Sequence, residues 1–263
     1  MGFFNWLFKR KPKRPKLGIA LGSGGAKGFA ELGALRAFEE NGIEFDYVAG
    51  ASIGSIIGAF YAEGYSSTDV FELLKKVDAK DIKSTFMLSM NMSGLYAVID
   101  NALGSTNIEE LKKPFAAIAT VLETNEELVL DKGNVAQALC ASSCYPPFFK
   151  PVVVNGQRLV DGAFTNSVPS DVVKKMGADI VIGIDLSDHE AKPSALAKIF
   201  PTFESKVAKP WEKGYQYSDV MLHPNLKGYT SLSFQAGSKM FEIGYECATL
   251  AMSEIKNRIK NFK

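Results

Sequence analysis

Apolar residues arrive in short bursts separated by amphipathic stretches. Residues 16–21 (KLGIAL) form an apolar run too short for a helix, ending at a glycine cluster, and predict a buried strand. Residues 29–41 carry Phe29, Leu32, Leu35 and Phe38 at helical spacing and close on Asn41-Gly42, a helix-ending pair. Residues 45–49 predict a second strand, and residues 53–63 a second helix closed by Gly64. Strand, helix, strand, helix in this order implies a parallel pair with a right-handed crossover.

Residues 67–77 predict a third helix, with Ser66, Ser67 or Thr68 as its N-cap. Residues 80–106 are Met-rich and irregular (Met87, Met90, Met92, Leu95, Tyr96). Residues 115–122 and 127–130 read as strands and 135–142 as a short helix. Asn155-Gly156, set between 152–154 and 158–160, is the strongest hairpin signal in the chain. A helix over 170–176 capped by Gly177, a buried strand over 180–185 and a last strand over 219–222 follow. Residues 187–216, with three prolines, read as an excursion from the core. The closing helix, 239–259, aligns Met240, Phe241, Tyr245, Ala248, Met252, Ile255 and Ile259 on one face. With no internal repeat and no long linker, the pattern predicts a single α/β sandwich over residues 17–263, preceded by a tail of residues 1–16.

Composition narrows this little. The chain has 263 residues, 46% hydrophobic and 22% charged, which suits an ordinary globular domain. Its net charge of +1 hides an asymmetry: residues 1–16 hold six basic side chains (Lys9, Arg10, Lys11, Lys13, Arg14, Lys16) and no acid. The basic run follows an aromatic start (Phe3, Phe4, Trp6, Leu7, Phe8), the reverse of a secretory signal. Gly2 invites a myristoylation reading, but Trp6 stands where Ser or Thr belongs. Two readings of the tail remain: an interfacial anchor on anionic lipid, and a terminus with no role. Cys140, Cys144 and Cys247 make an odd count without a CxxC pair, so we expect core packing and a reducing, cytoplasmic compartment, at most peripheral to the inner face of the membrane. No charge-free stretch reaches the roughly 20 residues of a membrane span. We expect no metal, cofactor or nucleic-acid partner.

The candidate chemistry lies at two strand-to-helix junctions. The first is Gly22-Ser23-Gly24-Gly25-Ala26-Lys27-Gly28. A dinucleotide fingerprint fails because Lys27 takes the place of the third glycine, and a phosphate-binding P-loop fails because Lys27 precedes Gly28. What remains is a loop that turns backbone N–H groups toward an oxyanion, with Lys27 attracting an anionic headgroup or pinning the loop, or else a tight turn with no ligand. The second is Gly50-Ala51-Ser52-Ile53-Gly54, a G-x-S-x-G turn that can expose a serine nucleophile, or a close glycine packing site. A serine needs a base. Asp161, in Leu159-Val160-Asp161-Gly162-Ala163, and the chain's two histidines, His189 and His223, are the candidates.

In this order the motifs resemble the patatin-like phospholipase family, whose pattern is G-x-G-G-x-[KR]-G, G-x-S-x-G and Asp-Gly-[Gly/Ala]. Gly22, Gly24, Gly25, Lys27 and Gly28, then Gly50, Ser52 and Gly54, then Asp161, Gly162 and Ala163 match every position. The Ala-Ser-rich, Pro-containing block 141–152 is similar to the one that precedes the family's aspartate. The resemblance implies a three-layer α/β/α sandwich with a mostly parallel central sheet. It implies a Ser-Asp dyad of Ser52 and Asp161, an oxyanion hole from the N–H groups of Gly24, Gly25 and Ala26, lipid-ester substrates such as phospholipids or lysophospholipids, and no cofactor. Residues 80–106 and 187–216 would then set substrate selectivity. Two rivals stand beside it: an α/β-hydrolase with a Ser-Asp-His triad through His189 or His223, and a non-catalytic lipid-binding scaffold at a membrane surface.

Overall fold

The computed structural model of the chain describes residues 14–76, 92–189 and 206–262. The tail to residue 13, Met87, Met90 and residues 190–205 therefore lie outside the described residues, with whatever the sequence reading placed there.

Eight strands share one sheet, joined as hydrogen-bonded neighbours along the path β5-β6-β3-β2-β1-β7-β8, with β4 on the other edge of β3. They are β1 (Leu17–Leu21), β2 (Tyr47–Ala51), β3 (Phe115–Val121), β4 (Glu127–Leu130), β5 (Val152–Val154), β6 (Gln157–Asp161), β7 (Ile180–Ile184) and β8 (Val220–Leu222). The pairs β1–β2, β2–β3, β1–β7 and β7–β8 are parallel, and the β3–β4, β3–β6 and β5–β6 pairs are antiparallel. The expected Asn155-Gly156 hairpin forms, with Asn155 at φ 49° and Gly156 at φ 79°.

Large and small residues alternate along the central strands, and this sets the two faces. Leu17, Ile19 and Leu21 of β1 join one core with Phe115 of β3 and Ile180, Ile182 and Ile184 of β7. On that face lie α1 (Phe29–Glu40), α2 (Ile53–Glu63), α3 (Ser67–Lys75), α5 (Val135–Ser143) and the long closing helix α8 (Gly237–Asn261). Ala20, Ala49, Ala51 and Ala116 line the other face, where Val172 and Val173 of α6 (Ser170–Met176) pack close to the sheet. The short α7 (Glu212–Tyr217) covers α6. The leucines and isoleucines of β1 and β7 thus sit under the thick helical layer, and the thin layer covers alanines together with Ile118 and Val181, which completes three layers.

The structure changes the sequence reading in three places. Residues 80–106 read as irregular, yet Ser93–Leu103 is a helix, α4, that buries Ile99 and packs against α5. The methionines before it hid a Leu95, Ile99, Leu103 stripe at i+4 spacing. The second strand begins and ends two residues later than expected, so it runs to the residue before Ser52. The terminal basic run is partly spent inside the fold. Arg14 meets both oxygens of Asp46 at 2.9 and 3.1 Å, and Lys16 Nζ meets Oδ1 at 2.8 Å. Ser66 is the N-cap of α3, in a reciprocal capping box with Asp69. Among the described residues no helix is long and apolar enough to cross a membrane.

Candidate active site

The glycine loop leaves the C-terminal end of β1, and the serine turn leaves the C-terminal end of the adjacent β2. Ser52 sits at φ 54°, ψ −125°, a sparsely populated backbone conformation for a residue with a side chain. The flanking glycines permit it. A Cβ on Gly50 would overlap the carbonyl of Gly54, and one on Gly54 would overlap the carbonyl of Leu21. Two other serines fix the turn. Ser142 Oγ accepts the Ser52 N–H at 3.0 Å, and Ser55 Oγ–H donates to the Ser52 carbonyl at 2.6 Å. Ser142 lies in the Ala-Ser block but 90 positions away, so only the fold reveals its part.

Sheet register brings Asp161 to the serine. β4 pairs with residues 117–120 of β3, which leaves a single opposite flank for β2 along 115–118 and β6 along 119–121. β2 and β6 therefore meet end to end. Ala51 pairs with Ile118, and Asp161 pairs with the next residue, Ala119. Ser52 Oγ donates to Asp161 Oδ2 at 2.8 Å, and the Ala163 N–H donates to Oδ1 at 2.8 Å. Gly162, beside the Ile118 carbonyl, leaves room for this approach. Thr120 Oγ1 donates to the Asp161 carbonyl at 3.0 Å and fixes the backbone behind it.

Asp161 is 1% exposed. Burial pushes its carboxyl up to about 7, against the Ala163 N–H and the Ser52 hydroxyl, which pull it down. A carboxylate with its affinity for protons set near neutrality can take a hydroxyl proton and return it. Tyr145 stacks on Phe164 with centroids 4.7 Å apart, and its hydroxyl is raised by burial and then by the nearby Asp161 charge.

The first loop forms a 3-10 turn over Gly25–Gly28, leading directly into α1. Gly25 takes φ 57°, and a Cβ there would stand 2.6 Å from the Ser231 carbonyl. Among the described residues no acceptor is paired with the N–H of Gly24 or Gly25. The N–H of Ala26, the third expected donor, donates to the Ser231 carbonyl at 2.9 Å in this arrangement. Sequence could not foresee this, because Ser231 comes from the segment after β8. Lys27 pins the loop, with Nζ donating to the Leu186 carbonyl at 3.2 Å; burial lowers its proton affinity, opposed by Asp188 and Asp185. Gly28 is packed against Ile53 of α2, and Gly22 lies beside the Ile184 carbonyl.

Glu31, which the sequence reading passed over, lies fully buried beneath this loop. Its Oε1 accepts the Gly22 N–H at 2.6 Å, and its Oε2 has no partner among the described residues. Burial raises its carboxyl well above the ordinary range. The two histidines lie elsewhere. His189 Nε2 is 2.7 Å from Asp185 Oδ2, and His223 Nε2 is 2.7 Å from the Ser187 carbonyl. Neither is paired with Ser52 or Asp161. Cys140 and Cys144 are buried, and both thiols are pushed up to about 12 by burial, in keeping with core packing.

An uncharacterized NTE family protein of Mycobacterium tuberculosis is 29% identical over 192 residues, which cover 70% of this chain and 53% of that protein. The rat patatin-like phospholipase domain-containing protein 7 is 32% identical over 188 residues, covering 66% of this chain and 14% of the relative. The chain thus spans about half the length of the mycobacterial relative. Among solved structures, VipD from Legionella pneumophila superposes with a TM-score of 0.55 at 14% identity, over 92% of this chain and 67% of that one. Human GIVD cytosolic phospholipase A2 does so with 0.54 at 9% identity, over 97% and 61%. These likenesses show the fold. The patatin-like phospholipase family model matches residues 19–174, a span holding the glycine loop, the strained serine and its carboxylate partner, and on that match this chain belongs to the patatin-like phospholipase family.

Proposed function

We propose that this chain is a serine acyl hydrolase of lipid esters, acting on phospholipids or lysophospholipids through Ser52 and Asp161. The observation that carries the reading is the 2.8 Å hydrogen bond from a serine on a strained turn to a buried carboxylate. In the first half-reaction Ser52 Oγ attacks the ester carbonyl as its proton passes to Asp161. The N–H groups of Gly24 and Gly25 would hold the oxyanion that forms, where one such donor is typically worth about 10²–10³ in rate. The intermediate collapses, the leaving alcohol takes the proton from Asp161, and the acyl group stays on Ser52. Water then attacks the acyl-enzyme with Asp161 as base, releasing the fatty acid and restoring the serine.

The placement of both histidines on residues other than the dyad favours this reading over a Ser-Asp-His triad. The peripheral membrane role of residues 1–16, at the inner face of a membrane, belongs to the same proposal. Arg14 and Lys16 bind Asp46 beside the start of β1, the end of the sheet opposite Ser52, and in this proposal the basic side chains that precede them in the sequence, Lys9, Arg10, Lys11 and Lys13, meet anionic lipid.

A fluorophosphonate probe tests the nucleophile: it should label the wild-type protein and fail to label Ser52→Ala. A folded wild type that never labels would favour the non-catalytic scaffold. Phospholipids, lysophospholipids, triacylglycerols and acyl thioesters offered to wild type and Asp161→Ala would then name the substrate class.

A further inference from the structure

The glycine loop rests on the segment that follows β7. A Cβ on Gly24 would stand 3.0 Å from both Cβ and Cδ1 of Leu186, and one on Gly22 would stand 2.5 Å from the Ile184 carbonyl. The Leu186 carbonyl accepts Lys27 Nζ. Residues 184–186 therefore form the wall against which both arms of the loop are set.

Residues 185–189 hold that wall in place. Asp185 is fully buried, and its own N–H donates to the Leu222 carbonyl at 2.9 Å. Its Oδ1 accepts the Ser187 N–H at 2.9 Å and the Ser187 hydroxyl at 2.6 Å. Its Oδ2 meets His189 Nε2 at 2.7 Å, and the Tyr215 hydroxyl also hydrogen-bonds this carboxylate. The His189 ring packs beside Trp211 with centroids 4.3 Å apart and planes tilted by 43°, and His223 Nε2–H donates to the Ser187 carbonyl. Both histidines of the chain are thus spent on five residues whose other side supports the loop. Without His189 this buried carboxylate keeps Ser187 and Tyr215 but lacks a donor at Oδ2, a deficit that favours a backbone shift admitting water. Such a shift would act on Leu186, the next residue in the chain, which lies against Gly24.

We propose that the His189–Asp185 pair is a positioning latch for the oxyanion loop, holding Leu186 against Gly24 and so fixing the backbone of Gly24 and Gly25. This rests on the Ser52–Asp161 reading and adds to it a residue that touches neither substrate nor dyad. A donor that serves only the developing oxyanion acts in the transition state, so its misplacement lowers kcat and leaves KM alone.

The test is steady-state kinetics on His189→Ala, His189→Gln and Ser52→Ala, each verified as folded by its thermal transition. Glutamine can place an amide N–H near the position of His189 Nε2 but cannot relay a proton. We expect His189→Ala to lose about 10²-fold in kcat, the scale of a misplacement of about 1 Å, with KM changed less than about twofold. Glutamine should restore most of the loss. If alanine fails to fold, His189→Asn, whose shorter side chain withdraws the donor from Asp185, takes its place with the same expected result. Wild-type kcat in His189→Ala, or a loss in KM alone, overturns the latch and leaves the dyad standing. Glutamine and alanine both falling to the level of Ser52→Ala would make His189 a proton carrier and overturn latch and dyad together. Turnover surviving in Ser52→Ala sinks the dyad itself, and with it the latch.

Discussion

Ser52 Oγ lies 2.8 Å from Asp161 Oδ2 although 109 positions separate the two residues. A carboxylate in that place can serve as a direct base, without an imidazole between it and the hydroxyl. Asp161→Asn keeps the shape and removes the base, so turnover should fall by about 10²–10⁴-fold, the usual worth of a general base. Initial rates on the preferred lipid ester measure this. A loss under tenfold would mean that Asp161 is not the base.

The buried carboxyl makes activity depend on pH. With Asp161 held at about 7, its ionised, basic form grows as pH rises, so kcat/KM should climb about tenfold per unit below pH 7 and level off above it. The rising limb should be missing from whatever activity Asp161→Asn retains. A limb near pH 4 would show an unperturbed carboxylate.

The same shift works against stability. The folded state binds more protons than the unfolded chain between about pH 4 and pH 7, so stability falls as pH rises through that window, by up to about 1.4 kcal/mol per unit. Asp161→Asn removes that loss. Denaturant midpoints at pH 5 and pH 8 should show the variant gaining on wild type as pH increases, with activity and stability moving in opposite directions.

Glu31 obeys the same sign with a different role. Its carboxyl is also raised by burial, so wild-type stability should decline further with rising pH as the buried group resists ionising. Glu31→Gln retains an acceptor for the Gly22 N–H and cannot ionise, so its stability relative to wild type should improve toward alkaline pH. Glu31→Ala leaves that N–H unpaired and should cost about 1–3 kcal/mol at any pH, read from urea unfolding.

Gly50→Ala tests the turn. Its methyl group would occupy the space of the Gly54 carbonyl, so the serine turn cannot form without moving α2. We expect a destabilisation above about 4 kcal/mol, the range of severe single substitutions, or no soluble protein. A folded Gly50→Ala enzyme with normal probe labelling would mean that the turn tolerates more room than its backbone shows.

The loop and the turn were legible in the sequence because their demands are local. Glycine spacing, the apolar run before each motif and the helical period after it belong to contiguous residues. Ile53–Glu63 came out with both of its ends correct, since Gly64 and the apolar periodicity mark them. Ser93–Leu103 did not, because its apolar stripe is broken by exposed Tyr96 and Val98 and preceded by methionines with no period. Ser142 and Glu31 were passed over for another reason. A serine or a glutamate shows nothing in sequence of which backbone N–H it will meet.

What the chain determines by itself is a set of strands and helices with two glycine-rich junctions and a serine forced into a strained turn. These follow from side-chain volume, burial period and the room a missing Cβ leaves. The tertiary structure decided the rest. It set β2 and β6 end to end on one flank of β3, so that the serine faces Asp161. It spent the Ala26 N–H on Ser231 and sent both histidines to the wall behind the loop. Those outcomes depend on sheet register and on backbone hydrogen bonds between distant segments, which local periodicity does not encode.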